Sequence, residues 1–253
     1  MRREETNMGN FISDLVRTEY YCDFALINAG SFRKNGVIPA GYISTMKLYE
    51  CFPFNDPIVV LKMKGKVLKE ALEWAVGAYP AEEGKFPQIS NLNFMFDPSK
   101  PAGSRIDAYD IGTESSGLLS MDQEYTVAMT EFTANGGDGF TMFKQPGVKH
   151  VVDEENASRI IAICKTFFNS LRTDLEINPK RELARQIRMG EFNVDQEDEI
   201  EGVSPDGKYW RLKPEIDDRI YAKENGDESA APMKLMRRMT TVRMMSQVSQ
   251  APQ

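Results

Sequence analysis

The chain has 253 residues, 41% of them apolar and 27% charged, with a formal net charge of −7. That is the composition of an ordinary globular protein long enough to bury a sizeable core. No basic stripe crosses the first 190 residues, so nucleic acid is not an expected partner, and no run approaches the roughly 20 apolar residues of a membrane-spanning helix, so a membrane is not expected either.

The charge is unevenly placed: residues 1–190 carry −3, residues 191–230 carry −8 and residues 231–253 carry +4. An acidic segment followed by a basic end reads as an extension. The opening segment MRREETNMGN lacks the apolar core of a secretory signal. In NMGNFISDLVRTEYY (7–21), Met8, Phe11, Ile12, Leu15, Val16 and Tyr20 recur at helical spacing. CDFALIN (22–28) predicts a short buried strand. GYISTMKLYECF (41–52) predicts a short helix entered at Ser44, and PIVVLKMKG (57–65) a strand turned by Gly65. GKVLKEALEWAVGAY (65–79) carries an apolar stripe of Val67, Leu68, Ala71, Leu72, Ala75, Val76 and Tyr79. NLNFMFD (91–97) alternates as a half-buried strand, with SRIDAYDIG (104–112) as its hairpin partner across the turn at 98–103. EYTVAMTEF (124–132) predicts a further strand and ANGGDGF (134–140) a glycine-rich loop. DEENASRIIAICKTFFNSLRTD (153–174) predicts a helix with two glutamates in its first turn, facing the positive end of the helix dipole. Beyond about residue 180 the expected features are a hairpin at SPDGKYW (204–210) and a linker over 223–232, while MKLMRRMTTVRMM (233–245) reads first as a disordered tail, with a basic helix that would suit a partner or an anionic surface as the alternative. Helices and strands mix without strict alternation, so the expected fold class is α+β. The boundaries drawn are a domain over residues 1–178 and an acidic then basic extension, largely linker or disordered, over 179–253.

Cys22, Cys51 and Cys164 have no metal-ligand spacing and lie in apolar stretches, as buried free thiols do. Three loops carry the candidate chemistry. In NAGSFRKN (28–35) small residues admit a ligand to the backbone and Arg33 offers a planar fork of donors. In CFPFNDP (51–57) an exposed phenylalanine would be a platform for a flat ring. In FTANGGDGF (132–140) Asp138 sits where a carboxylate can take both hydroxyls of a vicinal diol such as ribose. Taken singly, each loop reads first as a turn or a core anchor. Together, and all beside predicted strands, they supply two rings, an arginine and a carboxylate, the parts of a nucleotide pocket.

The order and spacing of these segments resemble the C-terminal domain of the 5'-nucleotidase family of metallophosphoesterases, from Arg2 to about residue 175. RREETNMGN (2–10) is similar to the family's opening motif, an arginine followed three residues later by glutamate and then Gly-Asn. NAGSFR is similar to its Asn-Gly-Gly-Gly-Ile-Arg loop, PFNDPIVVLKMKGKVLKEALE (53–73) to its Pro-Phe segment, strand and helix, FPQISNLNFMFD (86–97) to its Phe-x-Gln-x-x-Gly strand, and FTANGGDGF almost letter for letter to its third loop. The resemblance implies a substrate-binding role for Arg2 and Arg33 (phosphate, or ribose for Arg33), Asn28 (base), Gly30 (close approach), Phe54 and Phe132 (a sandwich around the ring) and Asp138 (ribose hydroxyls). Ala29 and Ser31 depart from the glycines of the pattern, and so does Asn91, a residue type that tolerates left-handed backbone.

In the family, hydrolysis resides in a separate N-terminal domain where two divalent metals activate water. With His150 as its one histidine, this chain is expected to hold neither catalytic residues nor a metal or cofactor site. Its expected role is the substrate-specificity half of a nucleotide phosphohydrolase, with a nucleotide or nucleoside as ligand and the metallophosphatase domain as its missing partner. The alternative is a free-standing nucleotide- or nucleoside-binding module.

Overall fold

The computed structural model describes residues 1–33, 36–38, 43–113, 117–177, 216 and 218–223, with the backbone alone over 170–177. Helix α1 (Asn7–Tyr20) starts where Thr6 accepts a hydrogen bond from the Gly9 amide and stops where Tyr21 turns left-handed at φ 50°. Strand β1 (Phe24–Asn28) follows, buried throughout. Helix α2 (Thr45–Cys51) begins at the predicted Ser44 cap. Strand β2 (Ile58–Lys64) runs into α3 (Gly65–Val76), which buries the predicted stripe. Next come β3 (Pro87–Ser90), β4 (Leu92–Phe96), β5 (Ile111–Thr113), β6 (Gly117–Leu118) and β7 (Glu124–Thr130). A one-turn helix α4 (Glu131–Ala134), β8 (Lys149–Val152), α5 (Ile160–Ile177) and β9 (Ile220–Ala222) complete the described elements.

Among the described residues the strands form two sheets, ordered β3-β1-β7-β2-β8 and β6-β5-β4-β9. The period-two geometry of a strand explains how the first sheet serves two cores. Phe24, Leu26, Val59, Leu61, Met63, Val127 and Met129 face α3 and the second sheet, whose Leu92, Phe94, Phe96 and Ile111 join the same cluster. Ala25, Ile27, Ile58, Val60 and Ala128 face the other way, onto α1, α2 and α5. Each fully buried side chain of this size contributes about 1.5–3 kcal/mol. The α+β expectation holds, and no helix among the described residues is long and apolar enough to cross a membrane.

Several boundaries differ from the expected ones. The predicted return strand over 104–112 is extended only at Ile111–Thr113, because the amides of Arg105 and Ile106 donate to the Glu73 carboxylate on α3 at 2.9 and 2.8 Å and so leave the sheet ladder. The two glutamates expected in the first turn of the last helix lie in a separate 3-10 turn, Glu154–Asn156, capped by Asp153; α5 starts at Ile160. Strands β3, β6, β8 and β9 add to the predicted set. Residues 220–222, assigned from sequence to the extension, pair in parallel with β4. The expected hairpin at 204–210 and basic helix at 233–245 lie outside the described residues. Asn91 adopts φ 59°, and its side chain donates to the Asp23 carbonyl at 2.8 Å, so asparagine fills the left-handed position reserved for glycine in the resembling pattern. Cys22, Cys51 and Cys164 are buried and in no disulfide, and burial pushes the Cys22 and Cys164 thiols up to about 12.

Candidate functional site

Sheet direction brings the three sequence loops to one edge. Strands β1 and β7 run parallel, so the chain leaves both at the same end. Strand β2 is antiparallel to β7 with Ile58 opposite Thr130, and the loop leading into it arrives at that end. Strand β3 is antiparallel to β1 with Pro87 opposite Asn28, which adds the loop before Pro87. The segments carrying Arg33, Phe54, Phe132 and Asp138 thus emerge side by side, joined further by the hydrogen bond from the Glu131 amide to the Pro57 carbonyl at 2.9 Å.

Asp138 is the centre of the edge. Its backbone is left-handed at φ 51°, between Gly137 and Gly139, and its side chain is exposed. The Asn28 Nδ2 donates to Asp138 Oδ2 at 2.8 Å. A Cβ added at Gly30 would lie 3.3 Å from that same oxygen, and one at Gly84 3.1 Å from it. Two glycine backbones therefore flank the carboxylate, and the Gly30 amide donates to the Gly84 carbonyl at 2.8 Å to hold them together. On the other side the Trp74 indole donates to the Asp138 carbonyl at 2.9 Å, and a Cβ at Gly139 would meet the Trp74 ring at 2.4 Å. Lys85 lies over the same indole, 4.0 Å from its centroid.

Asn28 lies beneath this carboxylate. Its side chain is only 2% exposed, and both ends of the amide are engaged: Nδ2 by Asp138, Oδ1 by the hydroxyls of Ser31 at 2.6 Å and Thr133 at 3.3 Å. A group so committed beneath the carboxylate braces Asp138. Ser31, a departure from the glycine pattern, supplies one of those bonds.

Phe54 and Phe132 are the two half-exposed rings of these loops. Phe52 is buried against Phe32 at 5.1 Å, whereas Phe54 is 49% exposed, with the Arg33 guanidinium carbon 5.1 Å from its centroid. Phe132 is 46% exposed and lies on Gly137, where a Cβ would sit 2.5 Å from its ring. Beside it, a hydrogen bond to Glu154, and then desolvation, raise the Glu131 carboxyl above the usual carboxylate range.

The residues on either side of Arg2 are tied to β3 through the backbones of Met1 and Glu4. Gln88, fully buried and opposite Ile27, donates from Nε2 to the carbonyls of Met1 at 3.2 Å and Glu4 at 3.0 Å, and accepts from the Thr6 amide and hydroxyl at 3.0 and 3.1 Å. The opening motif has a physical logic here. Glu5 takes the Asn10 amide at 2.6 Å, and Gly9 is required because a Cβ there would fall 1.8 Å from the Gln88 amide oxygen. Gly84, Trp74, Lys85 and Thr133 were not singled out from sequence, since their partners lie far along the chain.

Among the described residues no group of three or more His, Cys, Asp or Glu is placed to hold a metal ion. At this edge the Asp138 carboxylate is engaged by an amide and Glu131 is hydrogen-bonded to Glu154, while His150 lies on β8 opposite Leu61. These donors do not fit a dinuclear metal centre.

The family model described as 5'-nucleotidase, C-terminal domain, matches residues 1–145. Human 5'-nucleotidase is 28% identical over 191 residues, covering 68% of this chain and 32% of its own. The trifunctional nucleotide phosphoesterase protein YfkN of Bacillus subtilis is 30% identical over 151 residues, 57% of this chain and 10% of its own. The chain thus spans about a third or less of the length of these relatives. Among solved structures, a 5'-nucleotidase precursor from Thermus thermophilus aligns with a TM-score of 0.66 and 28% identity, covering 88% of this chain and 36% of its own. The NAD nucleotidase of Haemophilus influenzae shares the fold at a TM-score of 0.56 and 21% identity, over 65% of this chain and 30% of its own. With more than half of its length matched, the chain belongs to the 5'-nucleotidase family and carries that family's C-terminal domain.

Proposed function

We propose that this domain binds a nucleotide or nucleoside at the loop edge of its five-stranded sheet, as the substrate-specificity part of a nucleotide phosphohydrolase. The supporting observation is Asp138, an exposed carboxylate fixed by Asn28, flanked by the Gly30 and Gly84 backbones, and sharing its edge with two half-exposed phenylalanines. In this reading the base lies between Phe54 and Phe132, Asp138 accepts from the ribose hydroxyls, Arg33 faces ribose or phosphate and Arg2 faces phosphate. Gly30 keeps the approach to the carboxylate open and Asn28 keeps the carboxylate aimed. Hydrolysis belongs to the whole protein, through two divalent metals held by a metallophosphatase domain. The domain proper is drawn over residues 1–178 together with β9, which pairs with β4.

Calorimetry of the chain with AMP and adenosine tests binding. Both are expected to give heat that saturates below about 1 mM, an affinity of roughly −4 kcal/mol or better. Trp74 gives a second readout, because its indole is bonded to the Asp138 carbonyl. No heat and no change in indole emission at millimolar ligand would sink the reading. Phosphate release from AMP with added zinc or manganese is expected to stay at background, and clear turnover would overturn the division of labour.

A further inference from the structure

Strand β9 lies beyond the residues matched by the family model, yet it is built into the domain. The Phe94 amide donates to the Arg219 carbonyl, and the Lys223 amide to the Phe96 carbonyl, both at 2.8 Å. Ile220 and Ala222 pack on the main core cluster. Arg219 is 7% exposed; its guanidinium grips both oxygens of Asp14 at 2.6 and 2.8 Å and donates to the Ile89 carbonyl at 2.8 Å. A fork-to-fork pair of this kind fixes orientation as well as contributing energy. Lys223 reaches the buried Asp110 at 2.8 Å.

The strand also touches the opening motif. The Ile220 amide donates to Glu5 Oε2 at 3.2 Å, while Glu5 Oε1 holds Asn10. Glu5 is thereby bound from both sides, three residues after Arg2. Arg3 and Glu4 on one wall, and Ile220 and Ala222 on another, enclose a cleft of about 320 Å³. The Arg2 segment is therefore held at two levels: by Gln88 of β3 on the sheet side and by Ile220 of β9 beyond Glu5.

We propose that residues 218–223 form a clasp that sets the position of the Arg2 segment, with Arg219 as its positioning residue for the phosphate end of the ligand. This rests on the nucleotide reading above. Arg219 touches no ligand in this scheme; it seats β9, which presents the Ile220 amide to Glu5. Loosening it frees the segment that carries Arg2 and leaves Phe54, Phe132 and Asp138 in place.

The test is calorimetry of the full chain with AMP and adenosine, for wild type, Arg219→Ala, Arg219→Lys and Arg2→Ala. Arg219→Ala is expected to lower AMP affinity by about 5-fold or more and adenosine affinity by less than about 2-fold, and to add nothing to the loss in Arg2→Ala. Arg219→Lys should recover part of the AMP loss. Equal losses for both ligands, which a merely structural residue would give, overturn the proposal, as does unchanged AMP affinity. If Arg219→Ala does not fold, Asp14→Asn, which leaves the bond to the Ile89 carbonyl, is read by the same split. A wild-type chain that binds neither ligand fails at the nucleotide reading; one that binds both but shows no split fails here alone.

Discussion

Replacing Asp138 by alanine is expected to weaken binding of AMP and adenosine by about 30- to 1,000-fold. A hydrogen bond to a charged group contributes about 1.5–3 kcal/mol, and a vicinal diol offers two donors to this carboxylate. Tenfold in affinity is about 1.4 kcal/mol, so partial loss of both bonds falls in that range. The fold should survive, because the side chain is exposed and the left-handed turn at Gly136, Asp138 and Gly139 is set mainly by its glycines. Asp138→Asn sharpens the result. Asparagine tolerates φ 51° and keeps an acceptor for the Asn28 amide, so its loss should be smaller than that of alanine. A 2'-deoxynucleoside should lose affinity for the wild type and much less for Asp138→Ala. Calorimetry with the four combinations checks this, and an alanine variant that binds like wild type would remove Asp138 from the site.

The second large effect is expected at the rings. Stacking of a base on an aromatic side chain is worth about 1–3 kcal/mol by alanine substitution. Phe54→Ala and Phe132→Ala should each weaken adenosine and AMP alike, by roughly 5- to 100-fold, and leave ribose 5-phosphate unaffected. A base held between both rings couples them, so the double variant should lose less than the two single losses added together. Both side chains are about half exposed, so the melting temperature should hardly move. Losses that also appear with ribose 5-phosphate would assign these rings to loop structure and not to the base.

Much of this was legible in the sequence, for identifiable reasons. The run Phe24–Asn28 and the alternating Val59, Leu61 and Met63 announce a strand with a buried face, and the stripe from Val67 to Val76 announces its helix. The candidate loops were legible because each couples a phenylalanine, and in two cases glycine, to a neighbouring strand. What was not legible depends on partners distant in sequence. The bond from Asn28 to Asp138, 110 residues on, has no signature in sequence. Arg219 reads as one charge in an acidic stretch until Asp14, 205 residues away, buries it. A three-residue strand such as Ile220–Ala222 is too short for any period to show, and Lys149–Val152 is an exposed edge with a mixed pattern. The departure at Ser31 looks like a weakened glycine loop in sequence, whereas in the structure its hydroxyl locks Asn28.

The crystal structure of the chain soaked with AMP tests the central claim most directly. The account predicts the adenine between Phe54 and Phe132, both ribose hydroxyls within hydrogen-bond distance of Asp138, and the phosphate on the side of Arg33 and Arg2. Density for AMP elsewhere, in the cleft between Arg3 and Ile220 for example, with the loop edge empty, would contradict it.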